Sequence, residues 1–314
     1  FVDRETADIF GKNEAKREIG QGQAQTARTK ELSVPVYVTQ EKKIGTLPLE
    51  QYVLGVLAAE MPPEFELEAL KAQAITARTY IVRRIAEHDD SDVPVKGALV
   101  TDTVTHQAYL SDRALRSQWK PSVYKANMAK LNKAVDETRG IIATYEGKPI
   151  DATFFSTSNG YTENSEDYWN VKIPYLRSVP SPWDKEISPK YETTSAVQVK
   201  DLMSKLGIDS APASAGQTAA SMKVLEWTEG HRIKTIRIGG QRFTGREVRE
   251  KLGLNSTEFK WSAKGSQIVF TTYGYGHGVG MSQYGANGMA GEGKTAEDIL
   301  TYYYKGIKLQ HIEI

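Results

Sequence analysis

The sequence predicts an α+β protein: mixed helices and antiparallel sheet, with a smaller α+β subdomain inserted into the main part and a cleft between the parts. Three observations lead there. Leu49, Tyr52, Val53, Val56 and Leu57 recur at helical spacing, and Leu67, Leu70, Ala74, Ala77, Ile81 and Ile85 do so again just downstream. Short strand-like runs meet at glycine-centred turns, at Glu146-Gly147 and at Glu229-Gly230. From about Lys185 to Gly253 the texture changes to short elements around an Ala/Ser/Gly-rich stretch. The expected layout is a tether over 1–31, a main domain over 32–184 and 254–314, and an insert over 185–253.

Residues 1–30 are polar and lack an apolar period, as a tether would. Val34, Val36 and Val38 alternate like a strand. In the helix that follows, Thr46 can cap the start and Pro48 suits a first turn. Continuing its apolar stripe brings Glu60 onto the buried side of the last turn, and Pro62 disfavours helical geometry at Met61. Partial burial and the negative end of the helix dipole both favour a protonated carboxyl, which a general acid needs. A helix-end Glu can equally turn to water or pair with an Arg, and spacing leaves both open.

The next helix is expected from about Glu64 to Ile85, with Ala72, Ala74 and Ala77 permitting close approach of a neighbour. Lys71 and Arg78 share one side of it, either beside a cleft or on a solvated face. Residues 101–109 read as irregular and rich in hydrogen-bonding groups. A helix is expected over Ala126–Thr138 with Gly140 ending it, then a hairpin of 140–145 with 148–155. Its second strand runs into Ser156–Asn164, a turn that satisfies its own backbone or a loop that reads sugar hydroxyls. Trp169, Tyr175 and Trp183 follow, as sugar-stacking rings or as core.

Within the insert, Val197–Leu206 reads as a helix, 209–221 as linker, 224–227 with 233–238 as a hairpin, and Thr244 as the cap of a helix to Leu252. Val269–Ala286 packs five glycines among His277, Met281 and Tyr284, which lets backbone approach a ligand or a neighbour closely. It lacks the context of a dinucleotide fingerprint. His277 can bind metal, bond a substrate hydroxyl or serve structure. Thr295–Tyr304 reads as a closing helix with Ile299, Leu300 and Tyr303 inward.

At 314 residues and 39% hydrophobic content the chain can bury a sizeable core, and its net charge of +1 gives no reason to expect a nucleic-acid partner. It has no Cys, which excludes disulfides, thiol catalysis and Cys-ligated zinc. It begins at Phe1, so a missing signal or anchor segment is expected; no run of about 18 apolar residues remains.

Glu60-Met61-Pro62, the segment Glu68–Ala74 with Ala77-Arg78-Thr79-Tyr80, and His277–Ala286 occur here in one order. Together they resemble the SpoIID/LytB family over about residues 32–314. The resemblance implies a lytic transglycosylase that cleaves peptidoglycan glycan strands to 1,6-anhydro-muramoyl ends during forespore engulfment in sporulation. It places the catalytic acid on Glu60 and substrate contacts on Lys71, Gln73, Arg78, Ser156, Ser158, Tyr175, His277, Met281 and Gln283. It implies as partners SpoIIP, an amidase and endopeptidase, and SpoIIM, a membrane protein. It also implies an N-terminal anchor holding the chain outside the cytoplasm at the engulfing septal membrane.

No cofactor is expected. Some relatives bind zinc through Cys near the segment equivalent to Thr105-His106-Gln107; His106 alone is a poor site, so no protein-ligated zinc is expected either. A lone acid suits a transglycosylase, because the substrate's own hydroxymethyl group replaces the activated water that a two-carboxylate glycosidase needs. Two other classes remain: a non-catalytic glycan-binding module that enhances a partner amidase, and a metal-dependent hydrolase built on His106 and His277. The glycine-rich loop 274–286 and Glu60 are expected to face one cleft.

Overall fold

The computed structural model describes residues 32–209 and 214–313. The chain packs as two compact units, one running to Ala152 and regained from Ile307, the other Thr153–Gly306. The expected tether lies outside the described residues.

In the first unit, β1 (Ser33–Val38) pairs antiparallel with β2 (Lys43–Pro48). Next come α1 (Leu49–Glu60), α2 (Leu67–Glu87) and β3 (Val100–Thr101), which pairs parallel with β1. Helices α3 (Asp112–Gln118) and α4 (Pro121–Asp136) follow, then β4 (Ile141–Tyr145) and β5 (Lys148–Pro149). The strand Lys308–His311 returns to the other edge of β4. The core is built where the helical stripes converge: Tyr52, Val53, Val56, Leu57, Leu70, Ala74, Ala77, Ile81, Leu131 and Ile142 are all fully buried. α2 is the central post. Every residue from Ala72 to Thr79 is buried, so its buried surface is wider than the predicted stripe. Thr76 and Thr79 satisfy their hydroxyls on the carbonyls of Ala72 (2.8 Å) and Ile75 (2.7 Å) within the helix.

In the second unit, β6 (Phe154–Phe155) leads through a long loop to α5 (Ser165–Trp169) and α6 (Asp184–Ile187). Then come β7 (Glu192–Gln198), α7 (Val199–Leu206), α8 (Ala215–Ser221), the meander β8 (Lys223–Trp227), β9 (Ile233–Ile238) and β10 (Gln241–Thr244), and α9 (Gly245–Leu252). β11 (Glu258–Lys264) and β12 (Gln267–Tyr273) add to β7 in a three-stranded antiparallel sheet. β13 (Met281–Ser282) pairs parallel with β6, and α10 (Gln283–Gly291) and α11 (Ala296–Tyr303) close the unit.

Several expectations are corrected. Thr46 sits in β2 opposite Pro35, so it caps nothing; Pro48 holds the position before α1. α2 starts at Leu67 rather than Glu64. The predicted strand 148–155 is broken into β5 and β6, which pair with different partners. Residues 215–221 of the predicted linker form α8, started by a capping box in which Ser214 and Gln217 bond each other's backbone. The predicted insert does not close on itself at Gly253: one apolar cluster joins Val199, Ile236, Val248 and Leu252 to Phe259 and Phe270, because β7 hydrogen-bonds β12.

Candidate functional site

Glu60 is the last residue of α1. The helix stops because Met61 takes extended geometry (φ −128°, ψ 132°) ahead of Pro62, while its N–H still reaches Leu57 O. The half-buried Glu60 carboxyl accepts the Ala108 N–H at 2.8 Å. Burial raises its pKa above the ordinary carboxylate value, and the Ala108 amide offsets part of that rise.

The irregular 101–110 segment delivers that amide. Leu110 N–H bonds Gly55 O at 3.2 Å, and the Tyr109 ring stacks on Tyr52 with centroids 5.9 Å apart and planes 6° from parallel. Tyr52 donates its hydroxyl to Gln107 at 3.3 Å. Gly55 makes the approach possible, since a Cβ there would lie 2.2 Å from the Tyr109 ring. Upstream, Asp102 accepts from the Thr39 backbone (3.1 Å) and hydroxyl (2.9 Å). His106 Nδ1 accepts the Thr101 N–H at 3.2 Å, which leaves its other nitrogen to donate to Ser91 O at 3.1 Å. His106 is thus a strut of the segment that holds Glu60. Its pKa is lowered by burial, which favours the neutral ring this pattern requires.

Of the other expected contacts of this unit, Arg78 and Gln73 are fully buried and Lys71 is partly exposed. Arg78 is fully buried and forks onto Glu50, Nε to Oε1 at 2.7 Å and Nη2 to Oε2 at 2.6 Å, with Nη1 on Ile141 O at 3.1 Å. It ties α1, α2 and β4 together and offers no surface to a ligand. Gln73 is likewise fully buried. Lys71 keeps some surface but bridges Glu68 (2.7 Å) and Glu137 (2.6 Å).

In the second unit the small polar loop and the glycine-rich loop are stitched to each other. Buried Asp184 accepts from Ser158 N (2.8 Å), Ser181 Oγ (2.7 Å) and Ser282 Oγ. Thr157 exchanges backbone bonds with Tyr275 at 3.0 and 2.7 Å. Gly280 (φ +83°) lies so close to the chain that a Cβ would meet Thr153 O at 2.1 Å. Ser158 and Met281 are fully buried, and Gln283 nearly so. Ser156 and Tyr175 are half-buried. Trp169 packs on His277, while Trp183 donates to Glu292 at 2.8 Å and packs on Tyr302.

His277 sits among Phe155, Tyr168 and Trp169, with ring centroids 5.7, 5.8 and 5.2 Å away. Val279 N–H donates to Nδ1 at 3.1 Å, so the proton of the neutral ring is on Nε2, which bonds the Phe154 backbone. Burial, helped by Arg249 and Arg232, pulls its pKa down to about 3. Both nitrogens are engaged within the chain, as in His106. Among the described residues no three of His, Asp and Glu gather as metal ligands would.

Sequence reasoning placed Glu60 on the buried side of the last turn but missed its holders, Gly55, Ala108 and Tyr109. A glycine in mid-helix was the available signal.

Residues 37–145, which contain α1 and the segment on Glu60, match the family model described as stage II sporulation protein, SpoIID. The chain is 49% identical over 290 residues to stage II sporulation protein D of Bacillus subtilis (strain 168), covering 92% of this chain and 82% of that one. It is 49% identical over 292 residues to the protein of the same name from Bacillus amyloliquefaciens, covering 93% and 83%. It is 30% identical over 303 residues to the amidase enhancer of Bacillus subtilis (strain 168), covering 81% of this chain and 40% of that longer protein. Identity at about half the positions across nine-tenths of the chain, with a family match spanning the Glu60 region, leads to one conclusion: the chain belongs to the SpoIID family of sporulation proteins.

Proposed function

We propose that this chain is a peptidoglycan lytic transglycosylase with Glu60 as its single acid. The observation that carries the reading is a half-buried carboxyl at a helix end, raised in pKa by burial and aligned by the Ala108 amide. A group so placed keeps its proton further toward neutral pH than an exposed Glu and can give it to a leaving glycosidic oxygen. As that bond breaks, the muramoyl hydroxymethyl oxygen attacks its own anomeric carbon. The carboxylate takes the hydroxyl proton, and Glu60 is protonated again with a 1,6-anhydro end formed. Of the expected sugar contacts, Lys71, Ser156 and Tyr175 retain some side-chain surface for the role. SpoIIP and SpoIIM as partners, and an anchor to the engulfing membrane, belong to the same reading; no described helix is long and apolar enough to cross a membrane.

A second reading rests on the 30% identity to a protein named amidase enhancer: the chain presents glycan to a partner hydrolase without cutting it. Product analysis on peptide-free glycan strands decides. Anhydro-muramoyl ends support the first reading. Uncut strands that nonetheless speed a partner amidase support the second.

A further inference from the structure

The hairpin of α3 and α4 carries an open groove of about 570 Å³ lined by Arg116, Trp119, Pro121, Tyr124, Lys125 and Met128. Its aromatic wall is preformed. Trp119 and Tyr124 are half-buried, their centroids 6.5 Å apart, and the Arg116 guanidinium lies 4.2 Å above the Tyr124 ring. Asp112 pins both, accepting from Arg116 Nε at 2.7 Å and from the Tyr124 hydroxyl.

Charge is concentrated on this hairpin. The hairpin, residues 111–136, holds six cations (Arg113, Arg116, Lys120, Lys125, Lys130, Lys133) against two anions, Asp112 and Asp136, a net of +4. The whole chain carries +1, so the remainder carries −3. Arg116 and Lys133 pair with Asp112 and Glu137; no described carboxylate lies within ion-pair distance of Arg113, Lys120 or Lys125. The hairpin is also tied to the acid by chain continuity: Ala108, on Glu60, is three residues before Ser111, the cap of α3. From Ala108 to Trp119 the chain spans at most about 25 Å.

We propose that this groove is a subsite for an anionic polysaccharide strand, seating sugar rings against Trp119 and Tyr124 and drawing the strand's carboxylates to Lys120 and Lys125. The proposal rests on the glycan-strand reading above and extends it from the bond that is cut to how the strand is gripped. A concave wall with half-sunken rings suits a strand laid into it. A bilayer surface calls instead for protruding apolar side chains.

The test is equilibrium binding of solubilised, peptide-free glycan strands, whose muramoyl lactyl carboxylates are free, to Glu60→Gln protein, alone and combined with Trp119→Ala or with the pair Lys120→Glu and Lys125→Glu. The charge pair lies on the exposed surface, so it keeps the test informative if Trp119→Ala fails to fold. Each change is expected to weaken binding about tenfold or more at low salt, and the charge pair's deficit should shrink as salt is raised. Unaltered strand binding in both variants overturns the groove and leaves the Glu60 reading standing. So does loss confined to vesicles of anionic phospholipid, which makes the patch a membrane contact. Failure of the parent Glu60→Gln protein to bind strands at all overturns the glycan reading along with the groove.

Discussion

Glu60 at the end of α1 and His277 in the glycine-rich loop are both chemistry-bearing side chains at half-buried positions, and burial displaces both from their ordinary titration. The chemical results are opposite. Burial disfavours charge, so the carboxyl keeps a proton it can donate, while the imidazole is kept neutral and spends both nitrogens on Val279 and Phe154. Beside Glu60 the structure sets the Ala108 amide, carried by the 101–110 segment. Around His277 it spends three aromatic rings, tight glycine contacts and the Asp184 serine network. One region holds a protonatable carboxyl in place; the other holds two loops together.

The largest effect expected from that contrast is at Glu60. Glu60→Gln keeps shape and the acceptor for Ala108 but removes the proton. The rate of anhydro-end formation should fall on the order of 10²-fold or more. Stability should hold or rise slightly near neutral pH. A carboxyl raised in the folded state contributes its full stability below the ordinary Glu pKa and loses it as pH rises through the folded value; Gln does not ionise. Rate and melting temperature measured on one preparation check both, and undiminished specific activity ends the catalytic assignment.

Gly280→Ala tests the other side. The added methyl meets Thr153 O and the backbone is held at φ +83°, so a cost of about 1–3 kcal/mol is expected, visible as a lower urea midpoint. Activity per folded molecule should survive. A variant of full stability with lost activity would move the loop from scaffold to catalysis.

The smallest effect is in acid. His277 has a folded pKa of about 3 against an ordinary 6.5, so the unfolded chain binds the proton first and stability is lost as pH falls through that window. Denaturant midpoints at pH 7 and pH 5 should differ less in His277→Gln than in the unaltered chain. Parallel falls would show that the imidazole is not held neutral.

The placement of Glu60 was legible because it needs only a period and a stop: Leu49 to Leu57 fix the buried face, and Pro62 fixes the end. Its environment was not, because Ala108 lies 48 residues away in a stretch without periodicity. Arg78 shows the same limit. Spacing placed it on one side of a helix with Lys71, but only Glu50, 28 residues upstream, decides that it is core. α8 was legible and missed: Ala/Ser/Gly composition masked the Ser214–Gln217 capping spacing. The insert's boundary depended on β12 returning to β7, a pairing that local pattern does not record.

The strand Lys308–His311 has a consequence for how the molecule is made. It is the edge partner of β4, and Thr144 donates to the carbonyl of Lys308, 164 positions later. Ile312 N–H closes the same seam on Gly140 O at 2.8 Å. Chains emerge from the ribosome N-terminus first, so β4 has a bare edge for as long as the entire second unit is being synthesised. The unit that carries Glu60 is therefore begun first and finished last, and a ribosome that stalls anywhere before residue 308 releases that unit with its sheet still open.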